Sequence, residues 1–336
     1  MRARRVGAAA GARKVIWLAG RRAVRGRSVS AVAVVVVGAG IAGIACAREL
    51  AGAGVEVRVL ERARVVGGRM ASRRLHGRPV DMGAAYFTVS DPEFARVVEG
   101  WRAAGLARPW TDSLAVFENG TRGAAPGPMR WAAPEGLRSL VVALAAGLDV
   151  TLQHEVRQVG PGPCVDGEPA DAVVLAMPDP QAARLLEPVP AELADRRWNP
   201  VIAVAAGWAE RTWAPFPAAF VNGHPVLSLV ADDGDRRGDG APVLVAHSTA
   251  DVARAHDADP DGAVPEVLAA LRRLLDVGDP QWTFAHRWRF AAPAAQRDAT
   301  FRLADGIGLA CDAWGRSRVE AAWRSGTDLA RAILAP

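Results

Sequence analysis

The residues that could do chemistry begin at Gly38. Gly38-Ala39-Gly40-Ile41-Ala42-Gly43 has the GxGxxG spacing. The first glycine allows a tight turn, the second lets backbone approach a pyrophosphate, and the third lets a helix lie close to a strand. Glu61 stands 18 residues after Gly43. A carboxylate there can bond both hydroxyls of a ribose and would repel a 2′-phosphate. Gly67-Gly68-Arg69 follows. Adjacent glycines permit positive φ and close approach of backbone to a phosphate, and Arg69 can supply a charge-assisted contact to a diphosphate. GxGxxG alone is a weak signal; with the flanking elements and the acid in place it specifies a dinucleotide site.

Those elements are legible around it. Val32–Val37 reads as a parallel strand buried on both faces. A helix runs to about Leu50 and ends at Gly52 and Gly54, and Val55–Leu60 is the second strand. Ala31–Ala47 holds 17 residues without a charge, which on hydropathy alone resembles a membrane span. Its three interrupting glycines make it strand, turn and helix instead, so no membrane association is expected. Gly136–Ala146 reads as a helix with Leu137, Leu140, Val141 and Leu144 apolar, and Val150–Val156 and Val173–Ala176 as strands. Further strands are expected near Val201–Trp208, Val226–Val230 and Val243–His247, and an amphipathic helix over Val264–Leu275. Asp232–Gly240, charged and glycine-rich, is expected to be a solvated hairpin tip.

Composition removes several function classes. The chain has 336 residues and a formal charge of +5. Residues 1–29 hold nine of the 41 basic residues and none of the 36 acids, so the remainder carries 32 bases against 36 acids. The body is mildly acidic and no nucleic-acid partner is expected. The leader has no apolar core of about 7–15 residues and is not a secretory signal. It is read as a disordered basic tail or an overextended gene start, with Val29 as the alternative start. Lys14 is the only lysine, so the body can supply no lysine base or Schiff base. Cys46, Cys164 and Cys311 are far apart, which argues against a zinc site or disulfide framework and fits a reducing cytoplasm. The histidines show no metal-ligand spacing, and no metal is expected.

GxGxxG, the ribose acid and Gly67-Gly68-Arg69-Met70-Ala71-Ser72 together resemble the FAD-binding fingerprint of the amine-oxidase-like flavoproteins. Asp81–Thr88 (DMGAAYFT), Ala285–Ala291 (AHRWRFA) and Arg318–Gly326 (RVEAAWRSG) narrow the likeness to the bacterial renalase-like branch. Weaker echoes extend the likeness over residues 31–335. The implied fold is α/β: a Rossmann-like FAD-binding domain with a parallel sheet, and a discontinuous α+β substrate domain on a mixed or antiparallel sheet, as in amine oxidases and p-hydroxybenzoate hydroxylase. Residues 30–85, 135–182 and 293–336 would form the first domain, and 86–134 and 183–292 the second. The resemblance implies noncovalent FAD. Its contacts would come from Gly38, Gly40, Ile41, Ala42 and Gly43, from Glu61 and Arg62, and from Gly68, Arg69 and Met70. Gly83, Ala84, Val156 and Ala176 would add to them, with Asp312, Arg318 and Val319 near the flavin. Cys311 precedes the Asp rather than standing in an attachment motif. The sequence departs from the branch at Ala85, Val252, Cys311, Ala313, Trp314 and Ala321.

The renalase-like resemblance implies a small-molecule hydride donor, an isomeric dihydronicotinamide dinucleotide, with flavin N5 as acceptor and O2 as oxidant, giving H2O2. Loss of hydride from a dihydropyridine yields an aromatic cation, so positioning matters more than a strong base. His286, Trp288, Arg287 and His247 are the catalytic candidates, with Arg287 and Arg289 toward the donor's diphosphate. Each has a structural alternative: His286 bonding a carbonyl, Trp288 and His247 as core, Arg289 as a solvated strand residue. Two other functions stay open. One is an amine oxidase or desaturase of the same fold; amine oxidases typically hold a lysine–water pair at N5, which this body cannot supply, although Trp288, Phe290 or Trp314 could form an aromatic cage. The other is a nucleotide-binding protein without redox turnover.

Overall fold

The computed structural model describes residues 34–118, 121–194 and 196–335. The expectations for residues 1–29 and for Val32 lie outside the described residues. In chain order the elements start with β1 (Val34–Val37), α1 (Ile41–Gly52), β2 (Val57–Glu61), β3 (Ser72–Leu75), β4 (Arg78–Asp81) and β5 (Phe87–Thr88). Then come α2 (Pro92–Ala103), β6 (Arg108–Glu118), β7 (Thr121–Ala132), α3 (Leu137–Ala145), β8 (Asp149–Leu152), β9 (Val159–Gly160), β10 (Cys164–Val165) and β11 (Glu168–Pro169). They continue with β12 (Ala172–Leu175), α4 (Asp179–Ala183), β13 (Trp198–Gly207), β14 (Ala218–Asn222), β15 (Leu227–Asp232), α5 (Asp233–Arg237), β16 (Val243–Ser248) and α6 (Ala250–Ala255). The last are α7 (Val264–Leu275), β17 (Trp282–Pro293), β18 (Arg302–Ala304), β19 (Ile307–Leu309) and α8 (Val319–Leu334).

The first sheet has six strands in the order β18-β19-β12-β1-β2-β8, with β1 parallel to both neighbours. All four valines of β1 are buried. Val34 and Val36 pack toward α1, α3 and α8, and Val35 and Val37 toward the opposite layer. A strand covered on both faces needs an uninterrupted apolar run, which is what these residues are. The second sheet has eight strands in the order β17-β13-β16-β15-β14-β6-β7-β5. Ile202, Val204, Leu244 and Ala246 bury one face against α6 and α7. Ala203, Ala205, Val243 and Val245 turn the other face toward Val80 and Met82, on and just after β4. That second face is where a site between the sheets must lie.

Three expectations change. The strand expected over Val150–Val156 ends at Leu152. The helix α2, unanticipated, starts at a proline behind Asp91, whose side chain accepts from Glu93 N and Phe94 N. Its Phe94 and Trp101 join Phe87 and Trp323 in the core of the first sheet. The largest change is at Asp232–Gly240, which is not a solvated tip. Asp232 and Asp233 are fully buried, and Arg236 and Arg237 nearly so. Asp232 caps α5 through Asp235 N (2.9 Å) and accepts from Trp213 Nε1 (2.8 Å) and the Arg211 guanidinium. Asp233 pairs with Arg236, with Arg237 (3.2 Å) and with Arg78 (2.6 Å). Arg237 also reaches Asp81 (2.8 Å).

Burial alone would raise the Asp233 carboxyl; the guanidiniums of Arg236, Arg237 and Arg78 outweigh it and hold it below the usual carboxylate range. A carboxyl lowered in this way stabilises the fold above its unfolded pKa, and that contribution is lost as acid protonates it. Removing one partner of such a cluster leaves buried charge uncompensated and costs about 3–5 kcal/mol. Asp233→Ala should therefore lower unfolding stability by that amount in urea titration at pH 7. A loss below about 1 kcal/mol, the scale of an exposed pair, would contradict this.

Candidate functional site

The dinucleotide cradle forms where β1 ends. Gly38 sits at φ +107°, and a Cβ there would lie 2.6 Å from Ala176 O. Gly43 is one turn into α1, and a Cβ there would lie 2.0 Å from Gly38 O and 3.0 Å from Ala176 Cβ. The helix can therefore start this close to the strand only without a side chain at that position. Ile41 and Ala42 are buried in α1. The second glycine turn docks on the first: Gly67 N donates to Ala39 O (2.9 Å), and a Cβ on Gly68 would lie 3.2 Å from Gly40 Cα. Glu61, ending β2, accepts from Ala39 N (2.7 Å) and Ala63 N (2.8 Å), which holds its carboxylate over the mouth of the turn. Arg62 beside it is exposed. Val156 is buried beyond β8. No described residue hydrogen-bonds its backbone N–H or C=O, which leaves both free for a base edge. Bare backbone at two glycine turns, a fixed acid at the second strand and free backbone at Val156 fit the diphosphate, ribose and adenine of FAD.

Arg69 is anchored across the cradle by protein partners of its own. Its guanidinium donates to Asp312 Oδ1 (2.5 Å) and Ala291 O (3.2 Å) and lies over the Trp198 ring at 5.1 Å. It thus joins the cradle to the segment after β19, where Asp312 also accepts from Ser317 Oγ. Met70 is buried beneath it. Gly83 and Ala84 run alongside this turn, with Ala84 N donating to Arg69 O (2.9 Å). Arg318 and Val319 open α8; the Arg318 side chain bonds Ser90 Oγ (2.9 Å) and Glu320 (3.1 Å). Cys311 is buried among apolar side chains, and burial pushes its thiol far up, so it stays protonated and unreactive.

The second sheet presents the other half. Ala203 of β13 pairs with His247 of β16 on one side and His286 of β17 on the other. Directly paired residues share a sheet face, so His286, Ala203 and His247 form one row. Phe284, Ala205 and Val245 form the next row on the same face, and Trp288 extends it. Among the described residues neither imidazole has a hydrogen-bond partner, unlike His224, whose Nδ1 accepts from Val226 N (3.0 Å). Burial, with Arg236 nearby, lowers the His247 pKa to about 4. Burial, with Arg73 and Arg287, brings His286 to about 4 as well. Both rings are neutral at pH 7.

The structure brings His247, His286 and Trp288 together and leaves Arg287 out. Arg287 pairs with Ile202, whose side chain faces α6 and α7. Arg287 and Arg289 both bind Asp257 (3.3 and 3.1 Å). Alternation along β17 placed them on the side opposite His286. Trp288 donates from Nε1 to Met82 O (2.5 Å) and meets His286 edge-on at 4.5 Å. Phe290 packs on Trp198 at 6.5 Å, and Trp314 lies under the Arg297 guanidinium at 4.1 Å. Trp288 and Phe290 lie two residues apart on β17, and Phe290 and Trp314 join one apolar cluster. Sequence reading missed Met82, whose carbonyl joins the cradle side to β17. Among the described residues no cluster of His, Cys, Asp and Glu could hold a metal, and no helix is long and apolar enough to cross a membrane.

Gly43→Ala should abolish binding of the yellow cofactor, read as the visible absorbance of purified protein. Gly52→Ala, at the end of the same helix with open space around it, should keep it. A yellow Gly43→Ala protein would contradict the cradle described.

Residues 36–101 match the NAD(P)-binding Rossmann-like domain family, and residues 89–334 match the family of flavin containing amine oxidoreductases. Polyamine oxidase 4 of Oryza sativa subsp. japonica is 49% identical over 53 residues, 16% of this chain and 11% of that protein. The chain thus aligns with only a small part of the curated relatives it matches. Whole-chain likeness comes from structures. A putrescine oxidase double mutant superimposes with a TM-score of 0.72 at 19% identity, covering 90% of this chain and 99% of that one. Cyclohexylamine oxidase from Brevibacterium oxydans IH-35A gives 0.70 at 15% identity, covering 90% and 98%. With most of its length matched by the family and its cradle built for the cofactor, this chain belongs to the flavin containing amine oxidoreductases, and its cofactor is FAD.

Proposed function

We propose that the protein is a renalase-like FAD-dependent oxidase of isomeric dihydronicotinamides, with O2 as the final acceptor. The observation that carries this reading is the row His286–Ala203–His247 on the sheet face turned toward the cradle. In this reading residues 30–85, 135–182 and 293–336 hold FAD noncovalently, and 86–134 and 183–292 present the donor. Gly38, Gly40, Gly43, Glu61 and Val156 would hold the dinucleotide, with Arg69 and Asp312 at its inner end. Bound FAD supplies a hydride acceptor at N5 and returns the electrons to O2.

The chain's own residues then bind and orient. Neutral imidazoles at His247 and His286 can each offer one donor and one acceptor to a carboxamide. Trp288, fixed through Met82 O, offers an apolar wall for a flat ring. Phe284, Ala205 and Val245 keep the face apolar and exclude water. Hydride loss from a dihydropyridine requires no proton to leave the donor, so weakly basic rings suffice. An alkyl amine differs, because it arrives protonated, with a pKa near 10. An imidazole held by burial well below its ordinary pKa is a poor acceptor for that proton. The only lysine, Lys14, lies outside the described residues.

A second reading, oxidation of an amine, is favoured by the family match and by the putrescine and cyclohexylamine oxidases among the structural neighbours. Anaerobic mixing separates the two. Dihydronicotinamide isomers should bleach the flavin within seconds, and putrescine or cyclohexylamine should leave it oxidised. Bleaching by the amines alone would establish the second reading and reject the first.

A further inference from the structure

The segment Met82–Ala85 lies between the two halves of the site and is held from three directions. Ala84 N donates to Arg69 O in the cradle turn (2.9 Å). Met82 O accepts from Trp288 Nε1 on β17 (2.5 Å). Ala85 O accepts from Arg236 on α5 (3.0 Å). The third hold is the unusual one. Arg236 is 1% exposed. Its guanidinium also donates to Asp81 O (3.3 Å) and binds Asp233 through Nε (3.1 Å) and a second nitrogen. Arg108 caps the Arg236 carbonyl (2.9 Å). A planar fork spans two backbone carbonyls and a carboxylate at once, which a lysine ammonium at the end of a flexible stem cannot do. Arg237 completes the arrangement by donating to Ala133 O (2.9 Å) while pairing with Asp81 and Asp233. Asp81 in turn accepts from Ser72 Oγ (2.5 Å) and from Leu137 N at the start of α3 (3.0 Å). The network therefore links α5, an element of the second sheet's layer, to the peptide that joins the cradle turn to β17.

We propose that Arg236 is a positioning residue for the reaction: its fork sets the height of the Met82–Ala85 backbone between cradle and sheet, and with it the approach of donor to flavin. The inference rests on the flavin site of the family and not on which donor is used. An error of about 1 Å in such a position costs about a hundredfold in rate, so the effect belongs in the hydride-transfer step rather than in affinity.

The test is Arg236→Lys in the FAD-loaded protein. Amide hydrogen exchange, read without any donor, should show Met82 and Ala84 exchanging at least about tenfold faster than in the unaltered protein. In stopped-flow anaerobic reduction the limiting rate should fall by about tenfold to a hundredfold, with the donor's dissociation constant changed less than about threefold. A merely structural role would lower FAD occupancy or melting temperature and leave the limiting rate of the loaded fraction unchanged. A folded Arg236→Lys protein with unchanged exchange and unchanged limiting rate overturns the proposal. Should that variant fail to fold, Arg236→Gln, which can still donate to one of the two carbonyls, is read in the same way: faster exchange at Met82 and Ala84 with a lowered limiting rate supports the clamp, and unchanged values of both reject it. Failure to find a reducing donor would count against the proposed function alone, because the exchange result does not depend on it.

Discussion

Charge buried between two sheets must be neutralised in place, and here four aspartates and four arginines do so. Asp81, Asp232 and Asp233 are almost wholly buried, as are Arg236 and Arg237, with Arg78, Arg211 and Asp239 closing the set toward solvent. Desolvating these groups is costly, and only mutual pairing with good geometry offsets it. The arrangement is therefore directional. Arg236 and Arg237 are each satisfied in one place, Arg236 on the carbonyls of Asp81 and Ala85 and Arg237 on those of Ala133 and Pro134. An apolar contact could hold the two layers at the same distance but would tolerate sliding. The ion cluster fixes register, so the cradle turn, the Met82–Ala85 peptide and the histidine row keep one spacing.

The same positive charge shapes the site's chemistry. Burial does most to keep His247 and His286 unprotonated, and Arg236, Arg73 and Arg287 add to it. Neutral imidazoles beside an apolar wall suit a flat, uncharged donor that becomes a cation only as its hydride leaves. The fold is shared with amine oxidases, and β13, β16 and β17 supply what this chain presents to the cradle.

Much of the cofactor half was legible from residues alone. GxGxxG, the acid at the end of the second strand and the paired glycines act locally, over a few residues each. The helix expected over Val264–Leu275 formed with those bounds because its apolar stripe is continuous. Long-range pairing was less legible. Alternation along β17 already sets Arg287 on the face opposite His286; which of the two faces meets the cradle is decided by pairing across the sheet and is not legible locally. The misreading at Asp232–Gly240 is more instructive. Asp233, Arg236 and Arg237 have the i, i+3, i+4 spacing of a helix held by ion pairs. Gly234, Gly238 and Gly240, read as loop residues, hid it. Gly234 is tight against Ala241, where a Cβ would lie 2.1 Å from the carbonyl oxygen, so it marks close packing rather than freedom. High charge density here marks acids and bases matched to one another, not exposure to solvent.

In the proposed function the site holds its donor with neutral side chains and moves no proton near pH 7. The most direct measurement is the limiting rate of anaerobic flavin reduction by a dihydronicotinamide as a function of pH. With both histidines near pKa 4, the rate should be level from about pH 5.5 to 8 and decline only as the rings take up protons in more acid solution. A break near pH 6.5, the ordinary histidine value, would show a working acid or base in the site and contradict the account.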